Sequence, residues 1–170
     1  MDDRTIVINE YDLDTTKTCF TRPGTYFRHS PAGSLGWGTG AALGAKLAKP
    51  DHKVICCVGD GAYIFGVPTA VHHVARVNRL PVLFVVFNNG YWNASRQTAF
   101  NFAPDGYAAR AHTVPLCEIK PSLEYEKICR AAGGYGERVE NAADLPEAID
   151  RALAVIESEN RQALLNVICR

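Results

Sequence analysis

An aspartate between two glycines, Gly59-Asp60-Gly61, follows one apolar run directly, and an asparagine pair with a glycine, Asn88-Asn89-Gly90, follows another. Brought to one edge of a sheet, a carboxylate and an amide oxygen make a hard donor set suited to Mg²⁺, which fills its octahedral shell with water and phosphate oxygens. The glycines let the backbone approach a ligand closely and aim N–H groups at an anion. These residue types therefore point to a phosphate held through a cation, with Asp60 giving charge and Asn89 a neutral oxygen.

They can meet only if the strands before them are neighbours. Residues 53–58 (KVICCV) and 82–87 (VLFVVF) are almost wholly apolar, as strands covered on both faces are, and residues 5–9 (TIVIN) form a shorter β-branched run. Between the two long runs, residues 67–78 repeat Val67, Ala70, Val71, Val74 and Val77 at helical spacing, which completes a βαβ unit. Residues 122–132 read as a helix capped by Ser122, and 144–157 as one capped by Asp144 with Glu147 closing a capping box. Short strands follow near 135–139 and 164–168. The alternation predicts an α/β three-layer sandwich, a doubly wound, mainly parallel sheet with helices on both faces, in a single domain spanning 1–170. Two stretches, 10–32 and 98–121, are rich in Thr, Pro, Gly and aromatics and read as long functional or partner-covered loops. Ligands of such sheets lie beyond the carboxyl ends of the strands, where Glu10-Tyr11-Asp12, residues 59–63 and residues 88–93 stand.

Composition narrows the function. The 170 residues carry 18 Lys and Arg against 18 Asp and Glu, a formal net charge of zero. With the basic residues scattered, a nucleic-acid or membrane surface is not expected, and a small molecule or protein partner is. No apolar run has the length to span a bilayer and the first residues form no signal region, so the expected location is cytoplasmic. Of six cysteines, Cys56, Cys57, Cys129 and Cys169 sit in apolar runs and read as reduced and buried. Cys19 and Cys117 fall in loop-like stretches, and no Cys/His cluster has zinc-ligand spacing.

GDG, 26 residues, then NN resembles the thiamin diphosphate-binding signature of enzymes of the decarboxylase, acetolactate synthase and benzoylformate decarboxylase type, and the likeness to their C-terminal cofactor-binding domain runs over nearly the whole chain. The resemblance implies that Asp60, Asn89 and the main-chain carbonyl of Tyr91 hold Mg²⁺. It implies that Gly61, Ala62 and Tyr63 donate main-chain N–H groups to the diphosphate at a helix start, with Gly59 and Trp92 beside the cofactor. Several relatives have a serine after GDG; here Ala62 takes its place and the hydroxyl contact is absent. The run Ala32-Gly33-Ser34-Leu35-Gly36-Trp37-Gly38 is similar to the family's Gly-rich stretch. By that likeness the Gly33 carbonyl accepts from the 4′-amino group, and Leu35 is the wedge that bends the cofactor so that its 4′-imino nitrogen reaches the thiazolium carbon.

The implied function is making or breaking C–C bonds on a 2-oxo acid, as a decarboxylase or an acetolactate synthase-like carboligase. In this family the activating glutamate comes from a pyrimidine-binding domain, often across a dimer interface, and no segment here looks like that domain. No residue of this chain is therefore assigned as catalytic. The resemblance implies a pyrimidine-binding partner domain or subunit, a homo- or hetero-oligomer, and a chain that is a separated domain, a fragment or one subunit of a split enzyme.

Plainer readings stand beside this one. Residues 36–41 fit G-x-G-x-x-A with Asp60 downstream, the fingerprint of an NAD-binding fold. Yet residues 26–34 are too polar and broken for the buried strand that fingerprint follows, and Asn88-Asn89 would be unexplained. A non-catalytic assembly module is a further alternative. Asp60 alone could be a turn residue and Leu35 ordinary core. His72 and His73 read as helix-surface or packing residues. His29, Tyr26, Trp37 and Trp92 either border a substrate pocket or close the core, and Asn93 and Arg96 stand within reach of a substrate carboxylate with no role assigned.

Overall fold

A computed structural model describes residues 4–11, 13–28, 34–111 and 114–169. Its six strands are β1 (Thr5–Glu10), β2 (Tyr26–Arg28), β3 (Lys53–Gly59), β4 (Leu83–Asn88), β5 (Tyr135–Val139) and β6 (Ala163–Ile168). They form one sheet in the order β2-β1-β3-β4-β6-β5, with every pairing parallel. The helices are α1 (Trp37–Ala48), α2 (Asp60–Phe65), α3 (Pro68–Val77), α4 (Asn93–Phe102), α5 (Tyr107–Ala111), α6 (Tyr125–Ala131) and α7 (Leu145–Glu159).

Alternate residues of the central strands feed two cores, as the period of two requires. Ile6, Ile8, Val54, Cys56, Val58, Phe84 and Val86 pack with Ala42 and Leu43 of α1, Tyr63 of α2, Val71 of α3 and Cys129 of α6. On the other face Val7, Cys57, Leu83, Val85, Leu165 and Val167 pack with Ala148, Ala152 and Ile156 of α7, assisted by Leu13 and Phe20 from the segment after β1. The sandwich is three-layered as expected, though one long helix and a loop suffice to cover the second face.

Several local expectations are revised. Helix α3 begins at Pro68 because Val67 takes a left-handed conformation (φ 54°), which separates it from α2, and Pro68 fits the first helical turn. Ser122 caps nothing: α6 starts at Tyr125, and the Ser122 hydroxyl accepts from Asn88 Nδ2 at 2.8 Å instead. Asp144 precedes α7 in helical geometry and makes no side-chain cap, so no capping box forms. Residues 98–121 hold the end of α4 and all of α5. The polar residues after Gly24 supply a three-residue edge strand, β2, whose exposure explains its polarity. Cys117 is buried despite its loop and Cys169 is only half-buried; Cys56, Cys57 and Cys129 are buried, Cys19 is exposed, and all six thiols are free. No helix among the described residues is long and apolar enough to cross a membrane.

Candidate cofactor site

Strands β1, β3 and β4 lie side by side, with Glu10 opposite Val58 and Gly59 opposite Phe87. Their carboxyl ends therefore deliver Glu10, Asp60 and Asn88-Asn89 to one edge. A cleft of about 450 Å³ opens there, lined by Leu35, Gly59, Asp60, Gly61, Ala62, Asn89, Tyr91 and Trp92, with Glu10, Tyr11 and Arg28 among the rest of its wall. Of the residues singled out in the sequence, Tyr63 does not line it. Its side chain is fully buried and its hydroxyl lies 2.7 Å from His72 Nε2. His72 is thereby a core residue, as the packing reading has it, while His73 is exposed. Gly33 and His29 lie outside the described residues.

Asp60 opens α2 and is 1% exposed. Its Oδ2 accepts from the Gly90 N–H at 2.8 Å, which ties the β3 and β4 loops together. Burial pushes its carboxyl above the ordinary aspartate range, and the N–H groups of Gly90, Gly61, Asp60 and Asn89 pull it partly back. A buried carboxylate with that balance is stabilised by a cation. Asn89 lines the cleft, and its Oδ1 accepts from the Tyr91 N–H at 2.9 Å with a second lone pair left over. Tyr91 pairs with Glu118 in an isolated antiparallel bridge, where the flanking groups bond: Trp92 N–H to the Cys117 carbonyl and Ile119 N–H to the Gly90 carbonyl. No main-chain donor among the described residues takes the Tyr91 carbonyl. One carboxylate, one amide oxygen and one carbonyl are a donor set that fits Mg²⁺.

The anion side is equally defined. With Gly59 as N-cap, the N–H groups of Asp60, Gly61 and Ala62 in the first turn of α2 have no intrahelical carbonyl to meet, and those of Asp60 and Gly61 lie against the Asp60 carboxylate. Gly61 must lack a side chain, because a Cβ there would lie 2.6 Å from Trp92 Nε1. Trp92 thus seats its ring directly over the helix start. Leu35 is 45% exposed in the turn before α1 and lines the cleft, so it is not ordinary core.

Glu10 is the residue whose role the motif leaves silent. Its carboxylate accepts from Gly36 N–H at 2.5 Å and from Gly38 N–H at 2.7 Å, and a Cβ on Gly38 would stand 2.9 Å from Oε2. Glu10 therefore fixes the turn that carries Leu35. It also occupies the N-terminus of α1 with a negative charge, at the place an NAD pyrophosphate would need, which removes the dinucleotide reading. Behind the cleft, Asn88 Nδ2 also donates to Asn166 Oδ1 at 3.0 Å, and Asn166 Nδ2 donates to Glu126 Oε2 at 2.7 Å. The first asparagine of the pair anchors the loop while the second faces the cleft. Tyr11, stacked on Phe87 with centroids 4.5 Å apart, stands at a strand end that the carboxyl-edge rule marks. Arg28 carried no such signal because β2 is too short and polar to read.

The family described as "Thiamine pyrophosphate enzyme, C-terminal TPP binding domain" matches residues 13–167. The chain is 37% identical over 135 residues to an acetolactate synthase large subunit of Mycobacterium tuberculosis, a span of 78% of this chain and 22% of that protein. It is also 37% identical over 136 residues to a benzoylformate decarboxylase of Pseudomonas aeruginosa, covering 78% of this chain and 23% of that one. Among solved structures, a thiamine diphosphate-dependent 4-hydroxybenzoylformate decarboxylase of Rhodococcus jostii RHA1 superposes with a TM-score of 0.78 at 26% identity, over 99% of this chain and 30% of that one. The chain spans about a quarter of the length of the relatives it matches. With an all-parallel sheet and a cleft at its carboxyl edge lined by the residues of the GDG and NN motifs, this chain belongs to the C-terminal thiamine diphosphate-binding domain family of thiamine diphosphate enzymes.

Proposed function

We propose that the cleft holds thiamin diphosphate through Mg²⁺ bound by Asp60, Asn89 and the Tyr91 carbonyl, and that the whole protein makes or breaks C–C bonds on 2-oxo acids. The observation that carries this reading is the lining of one cleft by Asp60, Asn89 and Tyr91 together with the first turn of α2. The names of the relatives, acetolactate synthase and benzoylformate decarboxylase, support the reaction class. Bound there, thiamin diphosphate supplies a carbon nucleophile and an electron sink for chemistry at a carbonyl.

Each residue has a part in that arrangement. Asp60 neutralises the cation, Asn89 and Tyr91 fix its position, and Gly61 and Ala62 direct N–H groups at the diphosphate. Trp92 shields the helix start from water, and Leu35 offers an apolar surface for the cofactor to bend over, with Glu10 holding the Leu35 turn in place. The Glu10 carboxylate is engaged by two backbone amides, those of Gly36 and Gly38, and serves to hold that turn. The activating carboxylate therefore belongs, in this reading, to a pyrimidine-binding domain or subunit in an oligomer. The chain itself is one domain of that enzyme. Exposed Phe102, Tyr107 and Leu116, on and after the helices that follow the cation loop, offer apolar surface for such a partner. Six free thiols suit a reducing, cytoplasmic setting.

Thermal melting tests the reading. A ligand of the folded state at about 100 times its Kd adds roughly 2.7 kcal/mol, so millimolar thiamin diphosphate with Mg²⁺ is expected to raise Tm by several degrees. No rise, or the same rise with Mg²⁺ chelated, contradicts it and favours an assembly module.

A further inference from the structure

The opposite edge of the sheet, where β4, β5 and β6 begin, holds a second cavity of about 430 Å³, lined by Arg76, Arg79, Gly133, Glu159, Asn160 and Arg161 among others. Three guanidiniums face one carboxylate there, in a chain whose formal net charge is zero. Arg161 is held from two sides: Nη2 lies 2.6 Å from Glu159 Oε2, and Nη1 donates to the Gly133 carbonyl at 3.3 Å. Its Nε is buried and has no hydrogen-bond partner among the described residues. Arg76 folds over the same glycine, its Cζ 3.5 Å from where a Gly133 side chain would begin. Arg76 and Arg79 join no ion pair among the described residues. Arg79 and Asn160, both at φ 50°, stand on the cavity wall where α3 and α7 end, Asn160 as the left-handed C-cap of α7.

Converging like charges and a buried unpaired N–H are both unfavourable until an anion enters. We propose that this cavity binds a polyphosphate anion of the size of a nucleoside diphosphate. A guanidinium presents a rigid fork that matches two phosphate oxygens at once, and the cavity offers arginine only, without lysine. Its volume exceeds that of one phosphate and lies in the range of small-molecule sites. The site is separate from the cofactor cleft, at the other end of the strands, and uses no divalent cation.

Calorimetric titration with ADP and with inorganic pyrophosphate, in EDTA so that cation-dependent binding at the cofactor cleft is silent, tests the site on wild type, Asp60→Ala, Arg76→Ala and Arg79→Ala. The expected result is submillimolar binding to wild type and Asp60→Ala, weakened about tenfold or more in each arginine variant. Tighter binding of ADP than of pyrophosphate identifies a nucleotide as the ligand, and equal affinity identifies polyphosphate alone. Both arginines are exposed, and melting curves check that the variants fold. Should one not fold, phenylglyoxal modification of the wild type read by mass spectrometry replaces it, with ADP expected to protect Arg76 and Arg79. Absence of binding up to about 10 mM, loss of binding in Asp60→Ala but not in the arginine variants, or unprotected arginines would overturn the proposal.

Discussion

A methyl group at position 61 would fall against the indole of Trp92, 2.6 Å from Nε1, so Gly61→Ala has to displace the ring that covers the start of α2. Overpacking of this kind costs about 1–3 kcal/mol, and it disturbs the helix start proposed to receive the diphosphate. Urea denaturation is expected to show that loss, and titration with thiamin diphosphate and Mg²⁺ an affinity at least about tenfold weaker. Unchanged affinity would show that Trp92 has no part in the site. At this scale the sequence is most legible where a residue's chemistry is declared by its type: Asp60 and Asn89 stand among glycines after apolar runs and face the cleft. Glu10 and Asn88 are not legible in that way, because their roles come from backbone amides and side chains that only the folded sheet brings near. His72 shows the same limit, since nothing local says that it will be sealed between Tyr63 and Gln162 Oε1, 2.6 Å away. Burial pushes its pKa down, with the Gln162 contact pulling partly back. The unfolded chain takes up a proton near pH 6.5 while the folded histidine resists. Stability from this group is therefore complete above that pH and lost as pH falls through it. Tm of the wild type is expected to drop between about pH 7 and 5, and the drop to shrink in His72→Gln. An identical pH profile in the variant would place the acid sensitivity elsewhere.

Among the elements, long apolar runs gave themselves away and ends did not. β3 and β4 are recognisable because strands buried on both faces need continuous apolar residues. β2 is three residues long with two exposed, too little for a period to show. Caps mislead when a tertiary partner claims the capping side chain: the Ser122 hydroxyl goes to Asn88, and Asp144 sits in a turn of 3₁₀ helix, Ala142–Asp144, that feeds straight into α7. An N-cap removed by alanine costs about 1 kcal/mol. Asp144→Ala is expected to cost less than about 0.5 kcal/mol in denaturant titration, and a loss near the full capping value would restore the capping box. Residues 98–121 hide α4 and α5 for a related reason. Helix α4 has no buried residue, so no apolar stripe marks it, and its face is free for whatever covers the cleft.

Taken whole, the molecule is a parallel sheet with a differently charged opening at each end. The carboxyl edge gathers Asp60, Asn89, Tyr91 and the first turn of α2, the groups proposed to hold a cation and a diphosphate, and the amino edge gathers arginines. The first was legible because β3 and β4 follow one another with only helix between them, α2 and α3. The second was not, since Arg76, Arg79 and Arg161 are scattered in sequence and converge only through the β4-β6-β5 pairing. The chain spans about a quarter of its relatives' length, and among the described residues the two carboxyl groups that line the cleft, Glu10 and Asp60, are both held by main-chain N–H groups. The central claim is that Asp60 binds the cofactor through a cation. Calorimetric titration of thiamin diphosphate into wild type and Asp60→Ala, each with Mg²⁺ and with EDTA, tests it most directly. Binding to wild type with Mg²⁺ alone, and a loss of about a hundredfold or more in the other three titrations, is the expected result. Equally tight binding by Asp60→Ala, or by wild type in EDTA, would contradict it.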